Sequence, residues 1–375
     1  MKKIALLLTL TTALPAIANA GEFKFNQSGL MGGYYGIMET NDSEVNNFAN
    51  RLVYRADGKL EGVYNFDDGN TLGLYSNYTL VFRQHDTDYS EGDWRFYPYL
   101  MGTLPDYGSF SAGYTYNVAF QMHKGAQDIT WIGIQDSNIV YFLTNPNWGN
   151  GLKSVKFATP KSTAIMNDGR SLKYSYITPE IGNTKFGFSY APDNASRRGM
   201  VSRYNHYEKE EDAYVMAMEN KWKLNVGDLY TSAGYGLFNR TDKEASVGAR
   251  WVVDNFNVSA GYKKAYVDGK KNPISTKAVN SHLPALFDNY RESQAWDFSI
   301  GYKFGQFNTN LAYLHTEAEN TRNKDDIFLQ SNVYSMNKYI DLYLINAYIN
   351  SHGNTRDGEN DNKGYAFITG ISVKY

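Results

Sequence analysis

The stretch Gly364–Tyr375 reads GYAFITGISVKY. Bulky or β-branched residues fall at every second position: Tyr365, Phe367, Thr369, Ile371, Val373 and Tyr375. Between them stand mostly small or polar residues, such as Ala366, Gly370, Ser372 and Lys374. A period of two marks a strand with two unlike faces. Such a strand at the end of a chain is expected to pair with another and so leave no open sheet edge.

The pattern recurs along the chain. Thr71–Phe82 carries Leu72, Leu74, Tyr78, Leu80 and Phe82, and Ala295–Gly305 carries Trp296, Phe298, Ile300, Tyr302 and Phe304. Phe110–Phe120 alternates in the same way. The chain holds 32 Tyr, 20 Phe and 33 Gly but only 9 Pro. Strands are predicted over 22–40, 47–66, 71–83, 94–104, 109–121, 170–178, 184–191 and 212–224. Eight more follow at 229–240, 244–253, 256–267, 294–304, 307–318, 326–336, 339–350 and 364–375, which makes sixteen. Short turns rich in Gly, Asn and Asp, such as Asp67–Asn70 and Asn225–Asp228, alternate with long polar connections such as His85–Asp93 and Asp268–Ser293. A transmembrane barrel keeps that order, with tight turns on the periplasmic side and long loops outside. Within lipid every backbone N–H and C=O needs an internal partner, so the sheet must close. The fold class expected is all-β, a sixteen-stranded antiparallel barrel.

Other features bound the class. Met1–Ala20 has two lysines, an apolar run from Ile4 to Leu14 and the small-residue ending Ala18-Asn19-Ala20. It reads as a secretory signal peptide, leaving 21–375 as one barrel domain. With no cysteine, the chain draws nothing from disulfides. The formal net charge of −2 points to no strongly charged partner, and phosphate-loop and nucleic-acid patterns are absent. Six scattered histidines give no metal-ligand spacing and no nucleophile–base pair, so no enzyme and no cofactor is expected. Calcium is conceivable only at the acidic outer loops DTDYSEGD (Asp86–Asp93) and DGENDN (Asp357–Asn362).

The ending resembles that of Gram-negative outer-membrane barrels, which finish on an aromatic residue with apolar residues at alternate positions before it. Phe367, Ile371, Val373 and Tyr375 match, with Tyr in place of the commoner Phe. The resemblance implies an assembly signal read by the barrel assembly machinery. Arg170–Asp193, RSLKYSYITPEIGNTKFGFSYAPD, resembles the strand–turn–strand of Gram-negative general porins. That family implies a homotrimer in outer-membrane lipid, a channel for small hydrophilic solutes and ions, and a long third loop folded into the lumen. Met122–Gly169 is the longest non-periodic stretch and the third long connection. Its apolar Trp131, Ile132, Ile134 and Ile139 would be buried against the wall if it folds inward; a cap over the mouth is the other option.

Alternation assigns the inner wall. If Leu52, Tyr54 and Leu60 face lipid, then Arg51, Arg55, Lys59 and Glu61 face the lumen, joined by Arg83, Arg95 and Lys173 from other strands. Charge is inexpensive in the hydrated lumen and costs a few kcal/mol at the lipid midplane. Set against Asp128, Asp136 and Asp168 of the long connection, these cations resemble the family's arginine wall opposite an acidic loop. Passive diffusion is the leading function. The alternative is a substrate-selective channel for a sugar or other nutrient, with Tyr75, Tyr97 and Tyr99 as stacking platforms. A structural or adhesive surface barrel is the third option.

Overall fold

The computed structural model describes residues 21–40, 48–85, 90–134, 162–166, 168–193, 201–202, 212–238, 240, 242–267, 291–318, 324–355 and 358–375. The proposed signal segment 1–20 lies outside them. In chain order come β1 (Gly21–Thr40), β2 (Phe48–Phe66), β3 (Thr71–His85), β4 (Ser90–Leu104) and β5 (Gly108–Tyr114). A short helix α1 (Val118–Met122) precedes β6 (Leu172–Ile177), β7 (Thr184–Ala191) and the two-residue β8 (Val201–Ser202). Then follow β9 (Ala213–Lys223), β10 (Asp228–Phe238), β11 (Asp242–Val253), β12 (Phe256–Val267) and β13 (Arg291–Phe304). β14 (Phe307–Ala318), β15 (Lys324–Ser335), β16 (Ile340–Thr355) and β17 (Gly358–Lys374) complete the sheet.

Each wall strand pairs antiparallel with its neighbours, and β1 pairs with both β2 and β17, so the sheet closes. β8 is an addition paired to β4 through Arg95–Ser202 and Phe96–Val201; the other sixteen strands form the wall. Followed from strand to strand, the register returns to β1 about twenty residues further along, the stagger that closing tilted strands requires.

The two faces differ as the alternation demands. On β13, Trp296, Phe298, Ile300 and Tyr302 are exposed, while Ser293, Ala295, Asp297 and Ser299 between them are buried. Inward positions are small or polar, and outward ones carry the aromatic band that hydrocarbon and its interfaces favour. At the seam Tyr375 exchanges both backbone bonds with Gly29. Its ring lies over Gly29 and its hydroxyl meets that of Tyr78 at 2.8 Å, while Tyr78 in turn lies over Gly58. Side chains at positions 29 and 58 would occupy the space of those rings, so glycine there is a matter of room.

One predicted strand is shorter than its pattern. The alternation through Phe120 suggested a strand over 109–121, but β5 stops at Tyr114. Asn117 then caps α1 by accepting from the Phe120 amide at 2.8 Å, which fixes a helical turn where the strand would have continued. Tyr116, expected on the outward face, instead stacks on Phe120 at 3.9 Å.

Candidate functional site

The connection between β5 and β6 carries the polar chemistry nearest the lumen. Its described parts lie against the face opposite the exposed aromatics. The backbone amides of Lys124, Ala126 and Gln127 donate to Ser232, Asp297 and Ser299 at 3.0, 2.8 and 3.0 Å. Asn310 donates to the Gln127 carbonyl, Arg250 to the Gly125 carbonyl and Lys263 to the Ala164 carbonyl. The anchors are thus short side chains and a few charges on β10 to β14. They satisfy backbone groups that no regular element serves. Further on, Ile132 and Ile134 are fully buried with Tyr34, Val53, Leu314 and Ile345. Trp131 packs on Tyr34 at 5.3 Å and lies under the Arg55 guanidinium at 4.5 Å. The apolar residues Trp131, Ile132 and Ile134 therefore sit against the wall; Ile139 and the rest of 135–161 lie outside the described residues.

The expected cations divide into three groups. Arg55 and Lys59 stand on β2, on the same face as the buried Val53. Each is paired with an acid two residues along its own strand: Arg55 with Asp57, and Lys59 with Glu61. Thr79 of β3 also donates to Asp57 at 2.7 Å. Opposite charges at i and i+2 lie on one face of a strand, so each pair neutralises itself locally. Arg95 lies on β4 opposite Thr79 in register. The side chains of Arg51 and Arg83 fall outside the described residues, although their backbones lie in β2 and β3.

Lys173 and Asp168 differ most from the expected picture of a wall cation facing a loop acid across water. Both are buried, at 0% and 1% side-chain exposure, and they pair with each other at 3.2 Å. Lys173 also donates to the carbonyls of Thr115 at 2.5 Å and Gly169 at 2.9 Å. Asp168 accepts from Asn117 at 2.6 Å. The group clasps the outgoing and returning ends of the connection instead of presenting charge to a pore. Asp128 accepts from the Ile134 amide at 2.9 Å and so turns the connection locally. Asp136 is outside the described residues, as are the side chains of both acidic loops considered for calcium.

The inward tyrosines have little open ring face. Tyr75 stacks on Tyr99 at 5.1 Å and carries Lys59 within 5.4 Å of its centroid. The Arg170 guanidinium lies 4.3 Å from the Tyr97 ring and 4.4 Å from that of Tyr116. Sequence reasoning missed Arg170, Asp57, Arg250, Lys263 and Asp297 as a set. A usable signal existed for Asp297: it is the one acid at a small-residue position between Trp296 and Phe298. His123 is also buried and hydrogen-bonds Thr163 at 2.8 Å. Burial first, then the charges of Lys263, Arg250 and Lys124, push its imidazole down to about 3, so it is neutral.

A family model described as Gram-negative porin matches residues 5–354. No curated protein matches the sequence. Among solved structures, an anion-selective porin from Comamonas acidovorans aligns with a TM-score of 0.58 at 12% identity, covering 94% of this chain and 100% of that one. A Salmonella typhi OmpF complex with daunomycin aligns at 0.54 and 14%, covering 94% and 98%. In-vitro folded OmpT of Vibrio cholerae, in its trimer form, aligns at 0.52 and 13%, covering 95% and 99%. At such identities the likeness speaks for the fold.

Proposed function

The chain belongs to the Gram-negative porin family, and on that premise we propose how its lumen sorts the solutes that pass. As a member it forms a passive-diffusion channel through the outer membrane of a Gram-negative bacterium, for small hydrophilic solutes and ions. We assign the narrowing of this channel to the β5–β6 connection, with the aperture left between that connection and the wall of β2 to β5.

The observation that carries the finer reading is the pairing of Arg55 with Asp57 and Lys59 with Glu61 on one strand face. Such pairs hydrate a wall without giving it a strong sign. Low-dielectric surroundings focus whatever field remains. The channel accordingly admits polar solutes of either charge with weak preference. Apolar solutes shed water at the aperture and gain nothing in return. Sugar-selective transport is not favoured, because Tyr75, Tyr97 and Tyr99 spend ring faces on each other and on cations. Homotrimer formation and reading of Phe367, Ile371, Val373 and Tyr375 by the barrel assembly machinery belong to the same proposal. They are supported by the trimer form of OmpT and by the aromatic C-terminal strand. Planar-bilayer recordings in a salt gradient test it: a large ohmic conductance with a reversal potential near zero is expected. A silent protein, or current blocked by maltose-type sugars at low millimolar levels, contradicts it.

A further inference from the structure

Behind the connection lies a cleft of about 210 Å³ lined by Phe120, His123, Gly125, Ala126, Gln127, Asp128, Ala164 and Arg250. It is smaller than the roughly 300–1,000 Å³ of drug-sized sites, which suits a small solute. The strap that floors it has spent its backbone groups on the barrel wall. The Gly125 carbonyl accepts from Arg250, the Ala126 amide donates to Asp297, and Gln127 uses both its amide and its carbonyl, on Ser299 and Asn310. Recognition in the cleft is therefore left to side chains.

Those side chains are of three kinds. Arg250 is the one cation among the lining residues. Its Nη2 is engaged at 3.1 Å, while its Nε is sealed from water and meets no acceptor among the described residues. The guanidinium thus retains unmet donor capacity, which a carboxylate suits through its fork geometry. Asp128 is the one acid in the lining. One of its oxygens accepts from Ile134, and a carboxylate has about four acceptor sites in all. Phe120, Ala126 and Ala164 form an apolar side wall. His123 contributes no charge, being buried and neutral.

We propose that this cleft is a binding subsite for small zwitterions of the α-amino-acid class, holding the carboxylate on Arg250, the ammonium on Asp128 and the side chain against Phe120. The assignment deepens the diffusion-channel reading and rests on it: the solute reaches the cleft from the lumen and is retained briefly. A simple anion would meet Asp128, and a simple cation would meet Arg250, so neither gains both contacts.

The test is saturation-transfer NMR titration of the full protein folded in detergent, with L-alanine, acetate, ethylammonium and glycerol as probes. L-alanine is expected to bind at least about tenfold more tightly than each of the other three, since losing one partner of a desolvated charge contact costs that much or more. Asp128→Asn keeps an oxygen for the Ile134 amide and is expected to weaken L-alanine binding at least about tenfold. Arg250→Gln should weaken it similarly. Acetate or ethylammonium binding as tightly as L-alanine, or an Asp128→Asn protein that binds L-alanine unchanged, overturns the assignment. Conductance measured on the same preparation separates the two readings. An open channel that fails to bind L-alanine rejects the subsite alone, and a closed one rejects the channel as well.

Discussion

Replacing Lys173 by Met is expected to release both ends of the β5–β6 connection. In the native protein Lys173 meets the carboxylate of Asp168 and the carbonyls of Thr115 and Gly169, all within 3.2 Å. Methionine keeps the apolar length and removes the charge. Asp168 is then left at 1% side-chain exposure with Asn117 as its remaining partner among the bonds described above. Removing one member of a buried ion pair costs about 3–5 kcal/mol, because the other charge stays desolvated. At about 1.4 kcal/mol per factor of ten, that makes opening of the connection some hundred- to several-thousand-fold more frequent. Amide hydrogen exchange at Val118–Met122 reads the opening directly, and urea unfolding in detergent reads any share that reaches the whole barrel. Replacing both residues, Lys173→Met with Asp168→Leu, removes both charges and is expected to recover most of the loss. A single replacement costing less than about 1 kcal/mol, or a double replacement worse than the single, would refute the clasp.

Further outcomes follow from the same contacts. Arg55→Ala leaves Asp57 without its strand partner and should move the reversal potential towards cation preference; Asp57→Ala should move it the other way, and the double replacement should restore it. Equal shifts in one direction would contradict local pairing. His123 is depressed to about 3 against an ordinary value near 6.5. Between these limits an opened state takes up a proton that the native state refuses, so its contribution is full above about 6.5 and is lost as pH falls. Exchange at residues 123–127 should therefore quicken from pH 7 to pH 4, and His123→Gln should flatten that slope. Tyr375→Phe removes one partly exposed hydroxyl contact with Tyr78 and should cost at most about 0.5–1.5 kcal/mol in heat resistance on gels. Gly58→Val should cost more, because its Cβ would sit 1.8 Å from the Tyr78 ring.

The wall was legible because alternation is imposed by lipid on one side and water on the other. β13 to β16 were read to within a few residues except at the loop ends, where polar composition gives no periodic signal. β5 was overread because Tyr116, Val118 and Phe120 keep the alternation after the strand has ended; only Asn117, a helix cap, marked the change. Parity placed Arg55, Lys59 and Glu61 on one face, but parity is blind to who pairs with whom. Asp57 lay two residues from Arg55 in plain view, and the self-paired wall follows from taking both signs of charge together. Asp168 and Lys173 were separated by the assumption that loop acids face wall cations across water. Their sequence distance is short, and that proximity at the connection's return was the better guide. The anchoring set on β10 to β14 depends on long-range contacts that no local pattern encodes.

The claim beneath all of this is that adjacent residues of a wall strand meet different solvents. The chain has no cysteine, so single cysteines report without background. Lys59→Cys and Leu60→Cys, one position apart on β2, can be compared in protein reconstituted in bilayers and treated with a charged, membrane-impermeant thiol reagent. Rapid labelling at 59 with a step down in conductance, and protection at 60, is the result expected. Labelling at 60 with protection at 59 would contradict the assignment of faces, and with it the water-filled lumen.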